Sequence, residues 1–196
     1  MNIAALLDEL RSIAQLGLNY SKDPYDRERY ERLMRLAVTD YASVSGLPEN
    51  EITQRFRKEL GYVTPKVGVA AGIFNEQGHA FLVKRSDDGM WGLPAGYCEV
   101  NQTPQENMKR EVREETGLEV EVGPLVEVFS VMPGDYGQPN TLYALVFLCK
   151  VTGGTPTPSY ETPVVGYYDH KTITDWHFDH GLRVERAYQY WLQQSE

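Results

Sequence analysis

Three glutamates, Glu111, Glu114 and Glu115, stand within the run Arg110-Glu111-Val112-Arg113-Glu114-Glu115-Thr116-Gly117-Leu118. On a helix turning about 100° per residue they fall inside an arc of roughly 100°, so their charges repel unless a cation stands among them. A hard divalent ion answers that need. Mg²⁺ takes carboxylate and phosphate oxygens and keeps several waters, with Mn²⁺ as the alternative. A solvated acidic helix face is the plainer reading of such a run, and the flanking residues argue against it. Thr103, Pro104 and Glu106 form a capping box with proline at the first helical position, and Gly117 supplies the stop. Upstream, Trp91-Gly92-Leu93-Pro94-Ala95-Gly96 reads as a glycine-rich passage from strand to loop, able to bring bare carbonyls close to an ion.

The whole stretch resembles the signature of the Nudix hydrolases: a glycine, five residues, a glutamate, seven residues, then Arg-Glu-aliphatic-any-Glu-Glu-any-Gly-aliphatic. Gly96, Arg110, Glu111, Val112, Glu114, Glu115, Gly117 and Leu118 stand in register with it. The resemblance implies an α/β/α sandwich around a mixed sheet, and metal-dependent hydrolysis of a diphosphate bond. It makes Glu111, Glu114 and Glu115 metal ligands, with a carbonyl of Ala95 or Gly96 completing the shell. Arg110 is expected to orient a carboxylate through charge-assisted hydrogen bonds. The general base stays open among Glu114, Glu115 and a loop acid of the kind several Nudix subfamilies use. Glu161, in Ser159-Tyr160-Glu161-Thr162-Pro163 ahead of the strand-like Val164 to Tyr168, has that place, and a plain loop glutamate is the alternative.

One position departs from the pattern. Where the signature asks for its first glutamate the chain has Gln102, an amide without charge to hold a metal or take a proton. Either the remaining acids suffice, with Glu99 three residues earlier supplying part of the missing charge, or the chain is a nucleotide sensor that binds without cleaving.

A chain of 196 residues suffices for one well-cored domain and a small appendage. No apolar run approaches the roughly 18 residues of a membrane span, and the start lacks the basic and apolar regions of a signal peptide; the cytoplasm is the expected compartment. Cys98 and Cys149 show no metal-ligand spacing and read as buried free thiols. A net charge of −9 disfavours a nucleic-acid partner, since phosphate backbones reward clustered Lys and Arg. An anionic substrate must then be met locally, and Lys84 and Arg85, at the end of the strand-like Ala80 to Val83, are placed for it; an ordinary solvated strand end is the alternative.

The chain divides near Gly61, giving an expected helical N-terminal domain at 1–61 and a Nudix domain at 62–196. Leu6, Leu10 and Ile13, then Tyr30, Leu33, Met34 and Ala37, then Ile52, Phe56 and Leu60 repeat at spacings of three and four, which predicts three amphipathic helices. Asp23-Pro24 opens the second, Pro48 the third, and Gly61 closes it. So short a segment buries little alone, and a homodimer interface or a cover for the rest follows. The layout resembles the helical extension of bacterial Nudix enzymes acting on nucleoside diphosphates linked to another moiety, CDP-choline pyrophosphatase among them.

Beyond Gly61, the runs Val67 to Phe74, Ala80 to Lys84, Leu125 to Val131 and Leu142 to Val151 read as strands, Leu182 to Leu192 as a closing helix, and Gly153 to Pro158 as surface loop. Nudix ADP-ribose pyrophosphatases resemble one another in a proline sixteen residues beyond the box glycine, and Pro133 stands there, though Pro133-Gly134 is also an ordinary turn. That makes ADP-ribose the leading substrate, cleaved to AMP and ribose 5-phosphate, with CDP-choline or another CDP-alcohol or sugar nucleotide as the alternative. Tyr62, Trp91 and Tyr136 are unranked candidates for stacking a base.

Overall fold

The computed structural model describes residues 3–45, 47–58, 61, 63–138 and 140–194; Leu60 and Tyr62, singled out above, lie outside them. Two compact units emerge, Met1–Lys66 with Ser130–Leu142, and Val67–Phe129 with Tyr143–Glu196.

Among the described residues the first unit holds three α-helices, α1 (Ile3–Tyr20), α2 (Pro24–Ser45) and α3 (Glu49–Lys58). Asp23 caps α2, its carboxylate accepting the amides of Tyr25 and Asp26 at 2.8 and 3.1 Å. The helices enclose a core of their own, with Leu7, Ala14, Leu18, Met34, Val38, Tyr41, Ile52 and Phe56 buried. The α1 face turned to that core differs from the expected Leu6, Leu10 and Ile13: Ala4, Leu7, Ala14 and Leu18 are buried, and Ile13 is 43% exposed. Helix α1 is apolar on two sides, so periodicity alone could not choose between them.

The second unit is built on seven strands, β1 (Lys66–Gly72), β2 (Ala80–Lys84), β3 (Trp91–Gly92), β4 (Ala95–Tyr97), β5 (Leu118–Val131), β6 (Leu142–Gly154) and β7 (Val164–Tyr168). They order as β4-β1-β6-β5 and β3-β2-β7. Helix α4 (Pro104–Thr116) covers one face and α5 (His180–Gln194) the other. Alternation along the strands explains both covers. Val69, Ala71, Phe81, Phe147 and Cys149 meet Met108 and Val112 of α4, whereas Ala70, Ala80, Leu82, Ala144 and Val146 meet Val184 and Ala187 of α5. Strand β1 is buried on both faces and hence almost uninterruptedly apolar. This is the α/β/α sandwich expected from the sequence.

Two strands outrun their expected limits. Strand β5 starts at Leu118 instead of Leu125, passing through Gly123-Pro124; it lies at the end of its sheet, where a proline without an amide is tolerated. Strand β6 continues through Gly153 to Gly154, which the sequence had assigned to loop. Gly154, at φ +84°, lies so close to the backbone of Gly117 and Leu118 that a side chain there would overlap it. Cys149 is buried and Cys98 half-buried, both free, and burial pushes the Cys149 thiol up to about 12. Among the described residues no helix is long and apolar enough to cross a membrane.

Candidate active site

Helix α4 begins as its sequence directs. Thr103 Oγ1 accepts the Glu106 amide and the Glu106 carboxylate accepts the Thr103 amide, closing the capping box, and Gly117 takes the left-handed conformation that ends the helix. The register between β1 and β4 sets Val69 opposite Gly96 and Ala70 opposite Ala95. That pairing brings the glycine-rich turn onto the acidic side of α4. Glu115 accepts the Ala95 amide at 2.9 Å, and the Glu111 carboxyl packs so closely on Gly96 that a methyl group there would overlap it.

Glu115 is only 7% exposed; burial, reinforced by the Glu111 and Glu161 charges and opposed by the Ala95 amide and Arg85, pushes its carboxyl up to about 8. Burial also raises Glu111, against the pull of Arg110. Arg110 holds Glu111 at 2.7 Å and Glu114 at 2.9 Å. The third acid differs from its neighbours. Glu114 is turned outward to Arg110, its side chain 56% exposed, so the three carboxylates do not all point into one hollow. Among the described residues no three acids, histidines or cysteines form a ready-built metal cage; the guanidinium satisfies Glu111 and Glu114 instead. The donor set nonetheless fits a hard divalent ion: two desolvated carboxylates, Glu111 and Glu115, beside the Ala95-Gly96 backbone, which a Cβ would crowd.

Gln102 donates its amide to the Glu99 carboxylate at 3.2 Å, and Glu99 stands 3.7 Å from Arg110. Glu99 thus stands beside the position 102 amide as an exposed carboxylate. We expect Gln102→Glu to leave turnover within about threefold of the parent, since it sets two exposed like charges together at a modest cost; a steady-state assay with an inactive parent and an active variant would overturn that.

Asn107, fully buried in the spacer between Gln102 and Arg110, was not anticipated. Its Oδ1 accepts the Glu99 amide at 2.8 Å and Arg110 Nη2 at 3.2 Å, and its Nδ2 donates to the Thr103 carbonyl at 3.1 Å. Its place four residues before Glu111, on the same helix face, was the only signal. His180 was missed for a better reason, being 87 residues from its partner: its Nδ1 accepts the Leu93 amide at 3.0 Å, and burial holds the ring neutral. With Trp91 N–H donating to Asp175 O and His177 N–H to Trp91 O, both at 2.9 Å, it clamps the passage leading to Ala95.

Arg85 forks onto Asp87 at 2.9 and 2.7 Å. Lys84 lies 3.9 Å from Asp175 and 5.4 Å from the Trp91 ring centroid, and Trp91 also packs on Tyr168. Pro133 and Tyr136 fall in 130–142, which belongs to the helical unit.

A family pattern described as NUDIX domain matches residues 64–181. The chain belongs to the Nudix family. A second pattern, described as UDP-X-like, N-terminal oligomerisation domain, matches residues 1–56. Among Nudix relatives the chain is similar to "Putative ADP-ribose pyrophosphatase YjhB" of Bacillus subtilis (strain 168), at 37% identity over 160 residues, 81% of this chain and 76% of the relative. Its structure is similar to that of a UDP-X diphosphatase, with TM-score 0.61 and 28% identity, covering 96% of this chain and 93% of the other. An ADP-ribose pyrophosphatase from Streptococcus suis 89-1591 matches with TM-score 0.56 and 28% identity over 65% of this chain and 92% of its own. The chain is therefore a Nudix hydrolase with an N-terminal domain of the oligomerisation type.

Proposed function

We propose that this Nudix hydrolase splits the diphosphate of a nucleoside diphosphate linked to another moiety, with ADP-ribose, giving AMP and ribose 5-phosphate, as the leading substrate. The observation that carries the reading is the convergence of Glu111 and Glu115, both desolvated, on the Ala95-Gly96 turn. Glu111, Glu114 and Glu115, with a carbonyl of Ala95 or Gly96, are the proposed ligands of Mg²⁺ or Mn²⁺. When bound, such an ion offsets charge on the diphosphate oxygens and lowers the pKa of a water. Arg110 aims Glu111 and Glu114, Arg85 and Lys84 offer positive charge to the phosphates, and Glu161 takes the proton from the attacking water, a role for which Glu114 and Glu115 are the alternatives. Pro133 is proposed to contribute to substrate binding.

ADP-ribose is supported by the names of the Bacillus and Streptococcus relatives. A uridine nucleotide is the second reading, favoured because the UDP-X diphosphatase matches across both units. Incubation with ADP-ribose, UDP-linked sugars, CDP-choline, dinucleotides and short RNA, with millimolar Mg²⁺ or chelator, separates them; binding without turnover of any member would make the chain a sensor instead.

The helical unit is proposed to form a homodimer, supported by the family of its pattern and by the second apolar side of α1. Light scattering is expected to give twice the chain mass, and half of it after Ile13→Glu. A monomeric parent at micromolar concentration would leave these helices as a cover.

A further inference from the structure

The turn Ser159 to Thr162 is bound to the Nudix helix by a chain of hydroxyls. Thr162 is 2% exposed, and its Oγ1 donates to the backbone carbonyl of Glu115 at 2.5 Å. A carbonyl only accepts, so the Thr162 proton is committed there. The 2.9 Å contact between Ser159 Oγ and Thr162 Oγ1 must then be donated by Ser159. Ser159 Oγ accepts the Thr162 amide at 3.1 Å in return, and the Ser159 amide donates to the Thr162 carbonyl at 3.1 Å. Between them the Glu161 carbonyl accepts the Ser86 amide at 2.8 Å, one residue from Arg85. Glu161 thus lies exposed, beside Tyr160, on a turn fixed on both sides, with its charge felt at Glu111 and Glu115.

We infer that Thr162, seated through Ser159 and the Glu115 carbonyl, is a positioning residue that sets Glu161 against the acids of α4. This rests on the function proposed above for Glu161. A loop carboxylate free to wander would meet the attacking water only part of the time, and fixed geometry is a large share of what an enzyme adds to a reaction. The turn ties Glu161 to the Nudix helix through its neighbour Thr162, despite the 47 residues that separate Thr162 from Glu115.

Thr162→Val keeps the buried volume and removes the hydroxyl, and Thr162→Ser keeps the hydroxyl. With ADP-ribose, or the panel nucleotide turned over fastest, Thr162→Val is expected to lower kcat about tenfold with KM within about twofold, and Thr162→Ser to stay near the parent. In a Glu161→Gln background Thr162→Val should add no further loss of kcat, because its effect passes through Glu161. Parental kcat in Thr162→Val, or the same fractional loss in both backgrounds, would overturn the inference. Amide hydrogen exchange supplies a readout independent of turnover: exchange at 159–162 should quicken at least about tenfold in Thr162→Val, with α5 unchanged. Unchanged exchange there overturns the positioning role even in a protein that hydrolyses nothing, whereas failure of the nucleotide panel alone counts against the function proposed for the site.

Discussion

Glu115→Gln is expected to lower turnover by about 10³-fold while leaving the fold intact. A lost metal ligand removes several kcal/mol of charge stabilisation in the transition state, and each 1.4 kcal/mol is about tenfold in rate. The fold has little reason to suffer. Glutamine keeps an oxygen to accept the Ala95 amide now bonded to Glu115 at 2.9 Å, and it spares the fold the cost of ionising a carboxyl at a site 7% exposed whose neighbours Glu111 and Glu161 are also acidic. The metal-free variant should therefore melt no lower than the parent, and the gain in melting temperature expected of the parent with Mg²⁺ should be smaller in the variant. Steady-state kinetics and thermal melts with Mg²⁺ or chelator check both halves. Activity within about threefold of the parent would place Glu115 outside the essential shell.

Gly96→Ala is expected to be nearly as damaging, for a steric reason. Gly96 is not among the glycines at positive φ, so alanine meets no backbone strain there. The added methyl instead overlaps the carboxyl group of Glu111, which must swing away from the Ala95-Gly96 turn. We expect turnover to fall at least about 100-fold, because a displaced ligand costs several kcal/mol, with a stability loss of about 1–3 kcal/mol, as overpacking usually gives. Parental turnover at the parental Mg²⁺ dependence would show that the contact between Gly96 and Glu111 has no part in the chemistry. Gly89→Ala, at a glycine with open space around it, is a control for the substitution itself, though at φ +71° it carries backbone strain.

The two units differ in how far local rules reach. Helix α4 was legible from cap to cap, because Thr103, Pro104, Glu106 and Gly117 act on backbone groups within a turn of themselves. The pair Arg110–Glu114 has the i,i+4 spacing that a helix brings together, whereas the hold of Arg110 on Glu111, the next residue, follows from no spacing rule. Strand limits were harder. The early start of β5 and the late end of β6 depend on pairing, on Pro124 lying in an end strand and on Gly154 passing close to Gly117, and none of these is a property of the segment alone. For α1 the pattern named an apolar side and the fold buried another, since a helix apolar on two sides leaves the choice to its neighbours.

The sequence by itself determined which chemical groups share the face of α4. The number and spacing of Glu111, Glu114, Glu115 and Arg110, the glycine at 96 and the caps of α4 are covalent facts, and a helix's period converts them into a face without help from the rest of the chain. Which acids are desolvated was decided only by tertiary structure. Glu115 is buried and Glu114 is not because α4 lays one side on the sheet through Met108 and Val112, and desolvation depends on everything packed around a carboxylate. The same holds for the partners that fix the site from afar: His180 on the Leu93 amide and Thr162 on the Glu115 carbonyl lie 87 and 47 residues from them in the chain. A buried backbone group takes whichever donor or acceptor the fold brings to it, so these bonds exist only once β1, β4, α4 and α5 are packed together.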